Sequence, residues 1–507
     1  MINPEIIVGP PGTGKTTRLL KYVEEELAAG VLPSKIGYVS FTKRAATEAI
    51  DRACVKFNLP RSDLRFFRTI HSICFSFLGI TRADMLTEKT LGAFGELVGH
   101  KITSKYSLDE GTTFGFEEGD RLLFMDNLAR VRRKSLRDTY DEDSDGLTWF
   151  KVERFSNALR EYKRDMGLYD YTDLLSEFVN TRAGPALEVL FVDEAQDLSV
   201  LQWEVIRKLS ENCRRLVIAG DDDQAIYRWA GADVDTFVDM NGSVTVLDRS
   251  WRVPRSVQAL ADKIVGRIHH RRPKVWDSRE EEGEVKWIPN ISSIDFSTGN
   301  ILVLARNRFI LSEHVEKHIR SIGYLYEFQE RNSIAPSTLA AVLTWERLRK
   351  GRDGVLALNV RKMYDKMTMG VGWKRGHKEL PGFADEDPVT FNDIVEKGGL
   401  LQTDPETVWY DALDKLHMGE KAYIRAALRR GEDLLKPPRI KLSTIHGIKG
   451  GEADRVVLLT DMAERTFYEA TKNPDDEARV FYVAVTRAKQ ELNIIAPKTQ
   501  RHYSLRF

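Results

Sequence analysis

Gly9-Pro-Pro-Gly-Thr-Gly-Lys-Thr16 constrains the fold of this chain more than any other stretch. It fits G-x-x-x-x-G-K-[ST], a loop whose backbone N–H groups close around phosphate oxygens at the N-terminus of a helix. Such a loop needs a strand to deliver it and a helix to leave by, so it commits this part of the chain to an α/β layer. The flanks comply: Ile6-Ile7-Val8 reads as a buried strand, and a helical pattern runs from Thr17 to about Leu27. Gly9, Pro10, Gly12, Thr13, Gly14, Lys15, Thr16 and Thr17 are therefore expected to form a nucleotide phosphate site. Within it, Lys15 is expected to reach the β- and γ-phosphates, and the Thr16 hydroxyl to ligate Mg²⁺.

The strand rhythm continues beyond the loop. Ile36–Phe41, Leu187–Val192, Arg215–Ala219 and Val244–Leu247 read as strands, and Lys43–Phe57 as one of the helices between them. This is the βαβ pattern of a parallel sheet covered by helices on both faces. From about Gly79 to Asp165 it gives way to charged, mostly helical sequence that reads as an insertion. Strand patterns return at Glu284–Ile288 and Ile301–Leu304 and stop over Asn332–Lys436, which is mostly helical with a Gly/Lys-rich middle. They resume at Arg439–Leu442, Arg455–Leu459 and Glu491–Ile495. The expected architecture is two α/β cores, each interrupted by a largely helical insert.

Composition narrows the partners. The 507 residues carry 76 basic and 76 acidic side chains, so any nucleic acid has to be held by a local groove rather than by overall charge. Cys54, Cys74 and Cys213 are odd in number and contain no CxxC, which argues against a disulfide framework or zinc site and fits a reduced, cytoplasmic compartment. The first strand begins almost at Met1, leaving no room for a signal peptide, and no apolar run is long enough to span a membrane. Arg130–Arg137 and His269–Lys274 are basic clusters read as solvated faces, with a strand backbone as the alternative partner. Asp141–Gly146 starts like a calcium loop but has Val152 where a bidentate glutamate is needed, and reads as an acidic surface loop.

Two further strands end in polar residues. Glu188–Val192 runs into Asp193-Glu194-Ala195-Gln196-Asp197. Carboxylates at a strand end beside a phosphate loop suit Asp193 to hold Mg²⁺ and Glu194 to orient and deprotonate an attacking water. Leu216–Gly220 runs into Asp221-Asp222-Asp223-Gln224-Ala225-Ile226-Tyr227-Arg228-Trp229. Here Gln224 is a candidate to bond the terminal phosphate or the water, and Tyr227 and Trp229 are candidate stacking platforms for single-stranded bases, with ordinary core packing as the alternative.

At this point the ordered set of motifs resembles the UvrD/Rep-type superfamily 1 helicases. Val39–Ala46 and Arg68–Ser72 are similar to the family's strand-contacting motifs, and Tyr169–Leu175 to the signature closing the first insertion. Asp193–Asp197 and Gly220–Gly231 resemble its Walker B and sensor motifs. Leu247–Arg252, Ser443–Glu452 and Tyr482–Lys489 resemble the motifs of the second core. The resemblance implies two RecA-like P-loop cores, each with a mainly helical accessory insertion. Residues 1–79 and 166–246 would make the first core and 80–165 its insertion, with 247–331 and 437–507 the second core and 332–436 its insertion.

The resemblance also assigns roles. ATP would bind with Mg²⁺ between the cores, Arg252 and Arg487 closing on the γ-phosphate as planar, permanently charged guanidinium groups. Trp251 would stack on adenine and Glu452 accept a ribose hydroxyl. Phe41, Tyr227 and Trp229 would stack on bases, and Thr42, Thr69, His71, Thr444 and His446 would contact the DNA backbone. The implied function is an ATP-dependent DNA helicase moving 3′→5′ on single-stranded DNA and unwinding duplex at single/double-strand junctions. It would act as a monomer, with replication or repair proteins as partners. A nucleotide-gated single-strand clamp, or a translocase that displaces proteins without separating strands, is the alternative.

Some positions depart from the family pattern. Only eight residues precede Gly9, so the family's adenine-reading glutamine motif is absent and relaxed base selectivity is expected. Ala230 stands where the sensor motif usually has arginine.

Overall fold

The computed structural model describes residues 2–40, 43–103, 117–351 and 354–506. The chain packs as two compact units: Met1–Trp287 with Ala305–Arg308 and Thr444–Phe507, and Ile288–Leu304 with Phe309–Ser443.

In the first unit, β1 (Glu5–Val8), β2 (Ile36–Ser40), β3 (Phe66–Thr69), β4 (Val189–Asp193), β5 (Arg215–Gly220) and β6 (Ser243–Val246) form a six-stranded sheet in the order β3-β2-β4-β5-β1-β6. The pairings described are parallel. Successive residues serve opposite faces. Ile6, Val8, Val39, Leu190, Val192 and Ile218 pack into one apolar cluster, while Ile7, Tyr38, Val189, Phe191, Val217 and Ala219 pack into another. That is why these strands read as continuous apolar runs rather than alternating ones.

The helices follow from the same logic. α1 (Lys15–Ala28) buries Leu19, Leu20 and Val23 at helical spacing against the second cluster, together with residues of α2 (Lys43–Phe57). The opposite face takes α3 (Ile70–Leu78) and, further along the chain, Tyr171–Asn180 and Val200–Leu209. β1, β2, β3, β4 and β5 all end toward the loops that carry the motifs, and the Gly9 N–H donates to the Gly220 carbonyl at 3.0 Å.

The region between β3 and β4 holds the further helices α4 (Glu88–Val98), α5 (Glu118–Val131), α6 (Leu136–Glu142) and α7 (Trp149–Met166). They share a core that includes Leu91, Phe94, Leu122, Phe155 and Leu159. α8 (Tyr171–Asn180) ties this bundle to the sheet. Its cap Asp170 accepts the Asp173 N–H, and Arg130 reaches Asp170 at 2.7 Å and Asp173 at 3.1 Å. Lys163 meets the same two carboxylates at 2.7 and 2.6 Å. The basic run beginning at Arg130 is thus not simply a solvated face: its first member is the electrostatic anchor of the insertion. Within it Arg132 donates to the Arg228 carbonyl and Arg133 pairs with Glu204.

The later strands are β7 (Glu284–Ile288), β8 (Ile301–Ala305), β9 (Tyr326–Phe328), β10 (Arg331–Asn332), β11 (Val355–Leu356), β12 (Pro388–Val389), β13 (Ile440–Thr444), β14 (Ala453–Leu459) and β15 (Ala488–Ile495). In the first unit β14 pairs in parallel with β15, and the helix Pro474–Val485, buried from Glu477 to Val485, leads into β15. The second unit holds β10, β9, β13 and β8 in that order. It also contains the helices Pro336–Lys350 and Ala357–Tyr364 and the antiparallel pair β11–β12. Its Gly/Lys-rich stretch is anchored by Trp373, stacked on Tyr364 with centroids 5.8 Å apart. Among the described residues, no helix is long and apolar enough to cross a membrane.

Candidate nucleotide and nucleic-acid site

The phosphate loop leaves β1 through Gly12 (φ 75°) and Gly14 (φ 84°), both left-handed conformations that glycine alone adopts readily. The loop is also too tight for side chains: a Cβ on Gly9 would lie 2.4 Å from Lys15 Cγ, and one on Gly12 would lie 2.4 Å from Arg252 Cβ. Thr13 Oγ1 donates to the Pro10 carbonyl at 2.9 Å, and Lys15 Nζ to the Gly9 carbonyl at 2.7 Å. Thr17 is exposed on the first turn of α1.

Thr16 and Asp193 meet as their motifs require. Thr16 Oγ1 donates to Asp193 Oδ2 at 2.9 Å, and the buried Tyr38 hydroxyl donates to the same oxygen at 2.8 Å. A hydroxyl and a carboxylate side by side are the hard oxygen donors that Mg²⁺ takes together with water and phosphate. These residues fit the ion. Among the described residues no group of three or more His, Cys, Asp or Glu side chains offers another metal site. Burial and the adjacent Glu194 charge push the Asp193 pKa up, against the hydrogen bonds from Tyr38 and Thr16.

Glu194 follows at φ 55°, a left-handed conformation in a residue with a side chain. Gln196 Nε2 donates to Glu194 Oε2 at 2.6 Å, while Gln196 Oε1 accepts the Asp221 N–H at 3.0 Å. Burial disfavours the Glu194 charge, but Lys15, Lys449, the Gln196 hydrogen bond and Arg487 outweigh it and hold the pKa below the usual carboxylate range. Glu194 is therefore an ionised, oriented carboxylate, the form a general base needs.

The sensor segment connects this carboxylate region to the later motifs. Gln224 Nε2 donates to Asp221 Oδ2 at 2.7 Å, and Gln224 Oε1 accepts from Arg487 Nη2 at 2.9 Å. Arg487 is 1% exposed. Burial and the nearby Arg252 charge lower its pKa to about 9, against the pull of Glu194. Lys449 Nζ donates to Asp197 at 2.6 and 2.5 Å and to the Gln224 carbonyl at 2.7 Å. Burial raises the Asp197 pKa to about 6 despite that ammonium.

Arg252 lies beside the phosphate loop, with its neighbours fastened there. The Trp251 N–H donates to the Gly12 carbonyl at 2.9 Å, and Ser250 Oγ to the Pro11 carbonyl at 2.6 Å. The Arg252 guanidinium pairs with Glu452 at 2.6 Å, so the expected finger and the expected ribose acceptor bind each other. Trp251 is 67% exposed, with the Arg249 guanidinium 4.8 Å from its ring centroid.

The expected strand-contacting residues separate. Trp229 and His446 line a cavity of about 450 Å³, with Arg121, Phe124, Arg132 and Arg306, and the Tyr227 ring packs against His446 with centroids 6.2 Å apart. The Tyr227 hydroxyl donates to the His446 carbonyl at 3.1 Å. Trp229 Nε1 and both His446 ring nitrogens are buried without a partner in hydrogen-bond geometry. Burial, with the Arg306 and Lys449 charges, holds the His446 pKa well below 6.5, so the ring is neutral. Thr444 is fully buried, and its hydroxyl accepts the Gly447 N–H at 3.1 Å. Thr69 caps α3 by accepting the Ser72 N–H, and His71 meets Tyr171 edge-on with centroids 5.8 Å apart. Phe41 and Thr42 lie outside the described residues.

Sequence reasoning missed Tyr38, Gln196, Asp221 and Lys449 as members of the site. Gln196, Asp221 and Lys449 stand inside quoted motifs. Tyr38 gave no signal, because its partner lies 155 residues away in the chain.

Comparisons with known proteins agree with these motifs. The UvrD/REP helicase N-terminal domain model matches residues 2–245, and the UvrD-like helicase C-terminal domain model matches residues 416–499. Together they cover more than half of the chain. A probable DNA helicase II homolog of Mycoplasma genitalium is 24% identical, over 97% of this chain and 82% of its own length. The ATP-dependent DNA helicase PcrA of Bacillus subtilis is 24% identical over 66% of this chain and 47% of its own length. For PcrA of Staphylococcus aureus the figures are 23%, 55% and 40%. The chain thus spans about half or less of the PcrA relatives. A solved complex of an arterivirus helicase, nonstructural protein 10, with DNA is similar at 13% identity, covering 99% of this chain and 63% of that one. At a TM-score of 0.33 that likeness carries no argument.

Proposed function

This chain belongs to the UvrD/Rep-type superfamily 1 helicases, and we propose that it is a DNA-stimulated, Mg²⁺-dependent ATPase that moves 3′→5′ along single-stranded DNA and unwinds duplex. The observation that carries this reading is the nine-residue segment Asp221–Trp229. At one end Gln224 bonds Arg487, and at the other Tyr227 bonds the His446 carbonyl while Trp229 lines the cavity with His446. Anything that shifts Gln224 is transmitted over three residues to the aromatic platform.

In the proposed cycle the phosphate loop binds the triphosphate through its N–H groups and Lys15. Thr16 and Asp193 would hold Mg²⁺, which when bound would neutralise charge at the phosphates. Glu194 orients a water and takes its proton, and Gln224 and Arg487 meet the charge that develops on the phosphoryl group. Preorganised donors of this kind are the largest catalytic contribution such a site makes. Arg252 leaves Glu452 to become a second finger, freeing Glu452 for the ribose. Bases stack at Tyr227 and Trp229 without regard to identity, so binding is independent of sequence and sensitive to salt. Residues 1–79 with 166–246 and 247–331 with 437–507 form the two cores of this scheme, with 80–165 and 332–436 as accessory insertions.

The test is strand displacement on duplexes carrying a 3′ or a 5′ single-stranded tail, with ATP and Mg²⁺. Unwinding from the 3′ tail alone is expected. Unwinding from the 5′ tail alone contradicts the polarity, and none from either contradicts the helicase reading in favour of a clamp.

A further inference from the structure

The basic run His269–Lys274 is solvated only in part: His269 and His270 are exposed, but Lys274 turns inward. The Lys274 side chain is 1% exposed, and its ammonium lies 3.0 Å from Asp221, 2.6 Å from Asp222 and 2.8 Å from Asp223. An ammonium has three N–H donors, and here each has its own carboxylate. Arg271 adds a two-pronged contact to Asp223 at 2.8 and 2.6 Å, and the Arg272 N–H donates to Asp222 at 2.8 Å. Arg479, also buried, donates to the Asp222 and His270 carbonyls at 3.0 and 2.6 Å. Two segments about fifty residues apart are thus locked by buried charge.

Asp221 is the junction between this lock and the nucleotide site. One carboxylate oxygen receives Lys274, and the other receives Gln224, which bonds Arg487. Its N–H donates to Gln196, which bonds Glu194. From one ammonium, two short chains of hydrogen bonds run to the groups that handle the water and the phosphoryl charge.

We propose that Lys274 is a positioning residue for hydrolysis, fixing Asp221 so that Gln224 and Arg487 on one side and Gln196 and Glu194 on the other are aligned. The proposal rests on the ATPase reading above. Lys274 touches neither the phosphate loop nor the adenine platform, so its loss acts on turnover rather than on nucleotide binding. Truncating it alone leaves three carboxylates facing one guanidinium, and breaking a buried charge cluster in this way is destabilising. The informative variant therefore restores the balance. Asp222 belongs to neither chain of hydrogen bonds, and Asp222→Asn removes the surplus negative charge.

The experiment compares wild type, Lys274→Arg, Lys274→Met and Lys274→Met/Asp222→Asn. The readouts are thermal melting, affinity for a fluorescent ATP analogue, and kcat and KM for ATP with and without single-stranded DNA. The expected result is that the double variant melts like wild type and binds nucleotide within about threefold, while kcat falls roughly 10–100-fold at nearly constant KM. Lys274→Arg keeps the charge but not three separate contacts, and should show an intermediate kcat. A double variant with kcat within twofold of wild type overturns the proposal, because charge balance alone then suffices. Failure of all three variants to fold also overturns it, making Lys274 a purely structural residue. Absence of ATP turnover in the wild type is a different failure, that of the ATPase reading itself.

Discussion

Glu194 combines two features that a merely structural carboxylate would lack. Its backbone sits at φ 55°, a conformation that costs a residue with a side chain on the order of 1 kcal/mol or more. Its charge is kept in a buried place by Lys15, Lys449, Gln196 and Arg487. Both costs are borne at the residue that the proposed mechanism uses as its base. Glu194→Gln keeps the shape and the hydrogen bond from Gln196 while removing the basicity. Turnover should fall by at least ~100-fold with ATP-analogue binding nearly unchanged, as read by single-turnover kinetics and fluorescence titration. Loss of binding instead would assign Glu194 to the nucleotide pocket. At this scale the sequence was most legible where two motifs mark residues for one task, as with Thr16 and Asp193, which meet at 2.9 Å. It was least legible for residues that matter through a partner distant in the chain. Tyr38 reads as an ordinary strand residue until its hydroxyl is found on Asp193, and Lys274 as a solvated cation until three aspartates are found around it.

Among the elements, α3 is an informative case. Thr69 caps it and Gly79 ends it at φ 69°, while His71 lies in its first turn against Tyr171. Burial lowers the His71 pKa from an ordinary 6.5 to about 4. As pH falls below about 6.5, the unfolded chain takes up a proton that the folded chain refuses until about pH 4. Stability is therefore lost across that window as pH drops. Melting temperatures measured from pH 7 to pH 4 should decline less steeply in His71→Gln than in wild type. Equal slopes would mean that His71 titrates normally. The same element shows why some structure escaped notice in the sequence. β3, which precedes α3, has four residues and a single neighbour, β2, so its pattern is too short to stand out from a loop. β9 to β12 have two or three residues each and carry no readable period. The long central strands were plain because burial on both faces makes them continuously apolar.

For the molecule as a whole, the pattern of strands and helices was enough to expect parallel α/β cores with helical interruptions, because sheet periodicity and motif order survive without coordinates. The network joining the motifs was not legible. Hydrogen bonds such as Gln224–Arg487, Lys449–Asp197 and Arg252–Glu452 join positions 200 or more residues apart. With the segment Asp221–Trp229 they form the proposed path, within the first compact unit, from the nucleotide site to the aromatic cavity. If the path works as proposed, a strand at Tyr227 and Trp229 must alter catalysis at Glu194 and Arg487. The most direct measurement is the steady-state ATPase rate with and without single-stranded DNA, in wild type and in Trp229→Ala. Strong stimulation by the strand in wild type is expected. In Trp229→Ala the DNA concentration for half-maximal stimulation should rise roughly tenfold or more, given about 1–3 kcal/mol per stacked base. A wild-type rate indifferent to DNA, or an unchanged DNA requirement in the variant, would contradict the coupling of the two sites.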